Sequence, residues 1–148
     1  MKIVCNNKKA YHEYFIEETY EAGISLTGAE VKSVRAGKVN INDAFIFIRD
    51  GETYAKNIDI VPYEKGSFFT PEARRDRKLL LHASEIARIK AKAEQKGFTV
   101  VPTKLYFKNN LVKLEIALAR GKQLHDKRET IARRETERRV QREMREHQ

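Results

Sequence analysis

The alternation of apolar and other side chains at 112–118 is the sequence feature that constrains the fold most. Val112, Leu114, Ile116 and Leu118 occupy every second position, so their side chains point to one face of a β-strand. A shorter apolar stretch, 105–108, precedes them across Asn109-Asn110, and asparagine tolerates the left-handed backbone of a tight turn. The pattern predicts a β-hairpin over 105–119.

Two further segments show strand patterns. Residues 14–24 alternate between apolar and polar side chains, with an irregularity at Glu18. An apolar run at 44–48 is followed by Asp50-Gly51, a pair that favours a type I′ turn. Beyond that turn, Tyr54, Lys56, Ile58 and Ile60 fall on one parity, which predicts a second hairpin.

Two helices are predicted between the strands. Thr27-Gly28-Ala29-Glu30 has the spacing of a capping box, and Gly37 supplies a residue suited to the end of a helix. Apolar residues at helical spacing between 84 and 96, followed by Gly97, predict a second, longer helix. Residues 63–78 contain Gly66, Pro71 and a cluster of arginines, which indicates an exposed connection leading into 79–81.

These elements predict one domain that is mainly β with helices. Its 148 residues match the usual size of a single domain. At least five short strands in such a chain favour a small curled sheet or barrel, and an oligonucleotide-binding-like antiparallel β-barrel is one candidate. The pattern alone does not determine the strand order.

The character of the sequence changes after Arg120. Residues 120–148 contain ten basic and six acidic residues, and 125–148 have no continuous apolar stripe. We therefore expect a body at 1–120 and a basic C-terminal tail at 121–148. Two interpretations of the tail remain open: it becomes helical on contact with a polyanion, or it is a permanently solvated helix or frayed terminus.

Charge favours a nucleic-acid partner. The chain carries 30 lysines and arginines against 21 acidic residues, a net charge of +9, and cations that neutralise phosphates gain free energy from counterion release. The alternative is that this charge serves only solubility.

Other function classes have little support. No segment reaches the roughly 18 apolar residues of a membrane helix, and the single cysteine, Cys5, excludes an internal disulfide. The four histidines do not form a metal-binding spacing, and no nucleophile, metal or nucleotide-binding motif is recognisable. We therefore expect no cofactor, no metal and no catalysis.

Four sequence strings taken together resemble the small protein B (SmpB) family, and the resemblance spans nearly the whole chain. They are NKKAYHEY at 7–14, GISLTGAEVKSVR at 23–35, RKLLL at 77–81 and GKQLHDKR at 121–128. The second and fourth strings are the specific ones. The resemblance implies a six-stranded oligonucleotide-binding-like barrel that acts as an RNA-binding adaptor. We expect a cytoplasmic protein because no membrane or signal segment is recognisable, and a monomer because no long apolar stripe requires a partner protein.

The resemblance also implies the partners. The body would bind the tRNA-like domain of transfer-messenger RNA, and the complex would enter stalled ribosomes for trans-translation. The tail would lie along the vacant mRNA path and the decoding region of the small-subunit ribosomal RNA. Family motifs imply body contacts to RNA by Lys8, Lys9, Glu30, Lys32, Ser33, Arg35, Arg75, Arg77 and Lys78. They imply ribosome contacts in the tail by Lys122, His125, Asp126, Lys127 and Arg128.

Several of these roles have structural alternatives. Glu30 either contacts RNA directly or acts as a helix cap. Arg75 and Arg77 either bind RNA or are flexible arginines beside a buried strand, and Ala73 stands where the family usually has proline. His125 either stacks on a base or begins a helix. At the level of function, a general RNA-binding or structural ribosomal protein and an RNA-processing enzyme are the competing hypotheses.

Overall fold

A computed structural model of the chain describes residues 1–62 and 72–122. In these two ranges the elements follow the order β1 (Lys2–Asn6), α1 (Lys8–Glu13), β2 (Tyr14–Ile24), α2 (Gly28–Arg35), β3 (Val39–Asn40), β4 (Phe45–Arg49), β5 (Glu52–Lys56), β6 (Asp59–Ile60), β7 (Arg77–Leu80), α3 (Ala83–Ala93), β8 (Phe98–Lys108) and β9 (Leu111–Gly121). The protein is therefore mainly β with helices, as the sequence predicts.

One antiparallel sheet contains seven of these strands. Their order is β1-β8-β9-β2-β7-β5-β4, and β3 pairs with β6 in a small second sheet. The edge strand β4 lies beside β8, which curls the large sheet towards a barrel. The resemblance implied a barrel of six strands, and the large sheet has seven. Strand β1, which pairs with residues 104–107 of β8, was not predicted from the sequence pattern.

Both predicted hairpins are confirmed. Asn109 and Asn110 have φ angles of +51° and +63°, and Asp50 and Gly51 have +52° and +76°. Positive φ at both central residues is the geometry of a type I′ turn, whose twist matches that of the flanking strands. The turn residues therefore fix the register of each pair, so that Phe47 lies opposite Tyr54 in the β4–β5 hairpin.

Strand β2 and helix α2 also agree with the predictions. β2 spans the predicted range, and its pairing with β9 shifts between Ile16 and Glu18, where the alternation of the sequence is irregular. Helix α2 begins with the predicted capping box and is followed by Gly37 with a φ of +77°.

Three details of the prediction are wrong. Tyr54 and Lys56 do not share a continuous face with Ile58 and Ile60, because Asn57 takes a left-handed φ of +66° and ends β5. Helix α3 ends at Ala93, before the predicted 96. The exposed connection does not extend to residue 78, since β7 begins at Arg77, which is completely buried.

The core lies between the curled sheet and the helices. The central hairpin supplies the buried side chains Leu105, Leu114 and Ile116, and α2 and α3 contribute Val34 and Ile89. In the part of the chain that the structure describes, no helix is long and apolar enough to cross a membrane. Most of the tail predicted at 121–148 lies outside the described residues, and the division at residue 120 stays a prediction.

Candidate nucleic-acid interface

The capping box of α2 brings Glu30 into a buried ion-pair network. The Thr27 hydroxyl accepts from the Glu30 backbone N–H at 3.2 Å, and Oε1 of Glu30 accepts from the Thr27 N–H at 2.9 Å. Nη2 of Arg75 lies 2.6 Å from Oε1, and Nη2 of Arg77 lies 2.6 Å from Oε2. The Nε atoms of both arginines also donate to Oε2. The carboxylate of Glu30 is thus occupied by contacts within the protein.

Arg77 is fully enclosed by this network. Its side chain is 0% exposed, and its guanidinium donates to three backbone carbonyls, those of Ile58, Ala73 and Arg75, besides Glu30. Five hydrogen bonds use the five N–H donors of a guanidinium. Because every donor points inward, Arg77 holds α2, β6 and β7 together and presents no atom to a ligand.

The pKa values of Glu30 and Arg77 reflect both their burial and their contact with each other. Burial alone raises the pKa of Glu30, but hydrogen bonds from Arg75, the Thr27 N–H and Arg77 outweigh it and hold the pKa below its ordinary value. Burial lowers the pKa of Arg77, against the opposing effect of Glu30. The carboxylate of Glu30 thus lies between two guanidinium groups, and Asp59 adds a further favourable interaction with Arg77.

The other three predicted RNA contacts on α2 face different ways. Ser33 is buried, and its hydroxyl donates to the Val61 carbonyl at 2.6 Å. Lys32 and Arg35 are exposed, and the Arg35 guanidinium lies 4.7 Å from the centre of the Phe107 ring. Lys32 and Arg35 are therefore the exposed cations of α2, while Ser33 anchors the helix.

Asn7 positions the lysines of α1, a structural role that was not predicted from the sequence. Its Oδ1 accepts from the Ala10 N–H as the helix N-cap, and its Nδ2 donates to the carbonyls of Ile41 and Pro102. Lys8 and Lys9 follow on the exposed side of α1. An asparagine directly before a helix is a recognisable N-cap signal, but its two distant carbonyl partners are not visible in a sequence.

The basic groups of α1 and α2 lie at different points along β8. Asn7 bonds to the Pro102 carbonyl, whereas Arg35 lies over Phe107, five residues further along. At about 3.4 Å per residue in an antiparallel strand, this separation is roughly 17 Å. The start of α1 and Arg35 of α2 therefore adjoin different parts of β8, and exposed cations on helices separated in this way suit an extended polyanion better than a small molecule.

Two other predicted RNA contacts, Lys9 and Lys78, form ion pairs with acidic neighbours. Nζ of Lys9 lies 3.1 Å from Asp43, and Nζ of Lys78 lies 2.9 Å from Glu52. Both pairs are on the surface, where an ion pair is weak and a phosphate can compete with the carboxylate. Arg75 keeps 32% of its side chain exposed, although its guanidinium donates to Glu30 and to the carbonyls of Ser25 and Asp76.

The start of the tail contacts the body through an aromatic ring. Nζ of Lys122 lies 5.1 Å from the centre of the Phe15 ring, and Phe15 is half-exposed. The remaining predicted tail contacts, at His125, Asp126, Lys127 and Arg128, lie outside the described residues. Among the described residues, no three histidine, cysteine or acidic side chains are grouped so as to hold a metal ion.

A curled antiparallel sheet, with exposed cations on the helices beside it, defines a small β-barrel protein of the RNA-binding class. The family model described as SmpB protein matches residues 4–146. With this match over most of its length, the chain belongs to the SmpB family.

Curated relatives are similar over nearly their whole length. The SsrA-binding protein of Caldicellulosiruptor saccharolyticus is 52% identical over 147 residues, covering 99% of this chain and 93% of the relative. The SsrA-binding protein of Thermoanaerobacter pseudethanolicus is 53% identical over 148 residues, covering 100% and 95%.

A solved structure supports the same assignment. A chain from a structure described as "tmRNA-SmpB: a journey to the center of the bacterial ribosome" is 50% identical, with a TM-score of 0.69. The match covers 86% of this chain and 93% of that chain. The similarity therefore extends from the sequence motifs to the fold of the body.

Proposed function

We propose that this protein is a non-catalytic adaptor that binds the tRNA-like domain of transfer-messenger RNA and delivers it to stalled ribosomes for trans-translation. The observation that carries the proposal is the match to a tmRNA-SmpB chain at 50% identity over 86% of the sequence. Its relatives are SsrA-binding proteins of almost the same length. The protein acts in the cytoplasm, where ribosomes are found.

The body meets the RNA through its exposed cations. Lys8 and Lys9 on α1 and Lys32 and Arg35 on α2 supply the phosphate and sugar contacts, which position an RNA without reading its sequence. Arg75 and Lys78 extend this surface. Glu30, Ser33 and Arg77 support the interface from inside, because each spends its polar atoms on contacts within the protein.

The tail provides the second half of the function. Residues 121–148 carry a net positive charge and few apolar side chains, and from Lys122 onward they order against ribosomal RNA in the empty mRNA path. Lys122, His125, Asp126, Lys127 and Arg128 are the contacts proposed there. The tail thereby senses that the channel holds no message.

Binding selectivity tests the adaptor role. The full-length protein is titrated with the isolated tRNA-like domain and with an unrelated duplex of equal charge, at several salt concentrations. We expect much tighter binding to the tRNA-like domain and a salt slope that falls by about one for each phosphate contact removed. Lys9→Gln is the test variant, and Lys96→Gln, an exposed lysine beyond α3, is its control.

Equal affinity for the two RNAs would support a general RNA-binding protein instead. Cleavage of either RNA that follows the purified protein through fractionation would support a processing enzyme. An equal loss of affinity in the Lys96→Gln control would show that net charge, and not the α1 surface, determines binding.

A further inference from the structure

The outer face of the β4–β5 hairpin carries a row of aromatic rings. Phe45, Phe47 and Tyr54 point outward, while their neighbours Ile46 and Ala55 are buried. The centres of the Phe47 and Tyr54 rings are 5.4 Å apart in a stacked arrangement, and those of Phe45 and Phe47 are 6.5 Å apart. Phe45 is 39% exposed, so this row ends in an open ring.

Cations border the same row. The guanidinium of Arg49 lies 5.6 Å from the Phe47 ring centre and 5.0 Å from that of Tyr54. Lys56 is the cross-strand partner of Phe45, and Lys78 on β7 is the partner of Tyr54. We call Phe45, Phe47, Tyr54, Arg49, Lys56 and Lys78 the aromatic face.

Sheet stability explains only part of this arrangement. Aromatic residues directly opposite each other stabilise a hairpin, which accounts for Phe47 and Tyr54. Phe45 lies opposite Lys56, a pairing that leaves much of its ring in water. An exposed ring beside lysine and arginine fits a ligand that has both flat apolar surfaces and negative charge.

Unpaired RNA has this combination of properties. Single-stranded nucleic acid binds proteins by stacking its bases on aromatic side chains while its phosphates follow a basic groove. Oligonucleotide-binding barrels commonly use an outer strand face in this way. Three cations, Arg49, Lys56 and Lys78, outnumber the two acidic residues of the hairpin, Asp50 in the turn and Glu52 opposite Arg49, so the net charge is positive and complementary to phosphate.

We propose that the aromatic face is a second RNA site, which binds unpaired nucleotides by stacking a base on Phe45 and contacting the flanking phosphates with Lys56 and Arg49. Arg49 already covers Phe47 and Tyr54, so Phe45 is the first ring open to a base. The inference rests on the proposed function in that its ligand is RNA. It adds a site for unpaired nucleotides to the cationic surface of α1 and α2.

A short oligonucleotide tests this site in the full-length protein. The probe is a fluorescent oligoadenylate of about eight nucleotides, within the range bound by one such barrel, and the readout is anisotropy over a salt series. We expect Phe45→Leu to weaken binding about tenfold without changing the salt slope, because the variant loses stacking and no charge. Arg49→Gln should weaken binding and lower the slope by about 0.7.

Leu111→Ala is the matched control, because Leu111 is a 60% exposed apolar residue at the β8–β9 turn. Its affinity for oligoadenylate should equal that of the native protein. Photocrosslinking of native protein to the same probe carrying one 4-thiouridine gives a readout that does not depend on the folding of a variant. We expect crosslinks within residues 45–56.

Unchanged affinity of a folded Phe45→Leu protein would overturn the inference, as would crosslinks confined to residues outside 45–56 and 78. Such a result leaves the preference for the tRNA-like domain intact. The opposite outcome is also distinguishable. If the native protein binds the tRNA-like domain and the unrelated duplex equally well, but Phe45→Leu still weakens oligoadenylate binding, the adaptor role is refuted and the second site is retained.

Discussion

Arg77 and Glu30 are 47 residues apart in the sequence, yet Nη2 of Arg77 lies 2.6 Å from Oε2 of Glu30. Both side chains are almost completely buried, and Arg75 contacts the same carboxylate from the partly exposed side. The pair joins the first turn of α2 to the start of β7. Helix α2, which carries Lys32 and Arg35, is therefore held in place by a charge network rather than by apolar packing alone.

Replacing the carboxylate should unfold the protein more easily. Glu30→Gln leaves two guanidinium groups facing a neutral amide, and breaking a buried ion pair costs about 3–5 kcal/mol. We expect a loss of this size in the free energy of unfolding, measured by urea denaturation at neutral pH. Glu52→Gln is the control, because Glu52 pairs with Lys78 on the surface, and such pairs contribute at most about 1 kcal/mol.

The same variant separates the two roles considered for Glu30. If Glu30→Gln remains as stable as the native protein but no longer binds the tRNA-like domain, the glutamate contacts RNA directly. If stability and binding fall together, and binding recovers under conditions that restore folding, the effect of Glu30 is structural.

Acid should weaken the contact between β2 and α3. Hydrogen bonds from Arg88 and Tyr20 lower the pKa of Glu18 from 4.5 to about 2. A carboxyl group whose pKa is lower in the folded state adds stability above its unfolded pKa, and loses it as pH falls through the folded pKa. The stability difference between native protein and Glu18→Gln should therefore shrink from pH 4.5 to pH 2, as followed by urea denaturation across this range.

Arg88→Gln tests the cause of this shift. Without the guanidinium, Glu18 titrates closer to its ordinary value, so adding Glu18→Gln to this background should produce a smaller pH-dependent difference. A difference as large as in the native background would show that Arg88 is not responsible.

Thr53 offers a stabilising substitution. Its hydroxyl is buried and has no hydrogen-bond partner among the described residues, and an unsatisfied buried hydroxyl costs about 1–3 kcal/mol. Thr53→Val keeps the shape and removes this cost, so thermal denaturation should show a higher midpoint. Thr103→Val is the opposing control, because the buried Thr103 hydroxyl donates to Glu115; a rise in both variants would contradict the explanation.

Asn7 should be sensitive to truncation. Asn7→Ala removes the N-cap of α1 and leaves the Ile41 and Pro102 carbonyls without their side-chain donor. Loss of an N-cap costs about 1 kcal/mol, and the loss of the two buried hydrogen bonds to the carbonyls adds to it, although the Ile41 carbonyl still accepts from the Ala44 N–H. We expect a loss of about 2 kcal/mol in the unfolding free energy, and a smaller loss for Asn40→Ala, whose exposed side chain at the end of β3 accepts one hydrogen bond, from the Asn42 N–H.

Removal of the tail should separate RNA binding from ribosome function. A chain truncated after Lys122 keeps every described element and the cations of α1 and α2. We expect nearly native affinity for the tRNA-like domain and no peptide tagging of nascent chains on stalled ribosomes in a reconstituted translation assay. Continued tagging by the truncated protein would refute the sensing role of the tail.

Local sequence signals predicted the strands and helices that depend on neighbouring residues. The Asn109-Asn110 and Asp50-Gly51 turns, the capping box of Thr27 and Glu30, and the alternation of β2 are all encoded within a few positions. Features that depend on distant partners were missed. Strand β1 is an example, because its pairing with β8, near the other end of the described chain, is not visible in residues 2–6 alone.

The candidate site shows the same limit more strongly. Family motifs selected Glu30, Arg75 and Arg77, and the structure brings these three side chains together. No local pattern indicates that Arg77 is enclosed, because an arginine in a polar cluster is usually solvated. Burial of Arg77 follows from tertiary contacts with the carbonyls of Ile58 and Ala73, which only the folded chain supplies.

Strand β9 has a mechanical consequence for whatever lies beyond it. It is hydrogen-bonded to β8 on one side and to β2 on the other almost to its last residue, Gly121. A pull along its axis from the C-terminal end loads both ladders in shear, so that many hydrogen bonds resist at once instead of opening one after another. The body can therefore resist a pulling force applied to it through the tail.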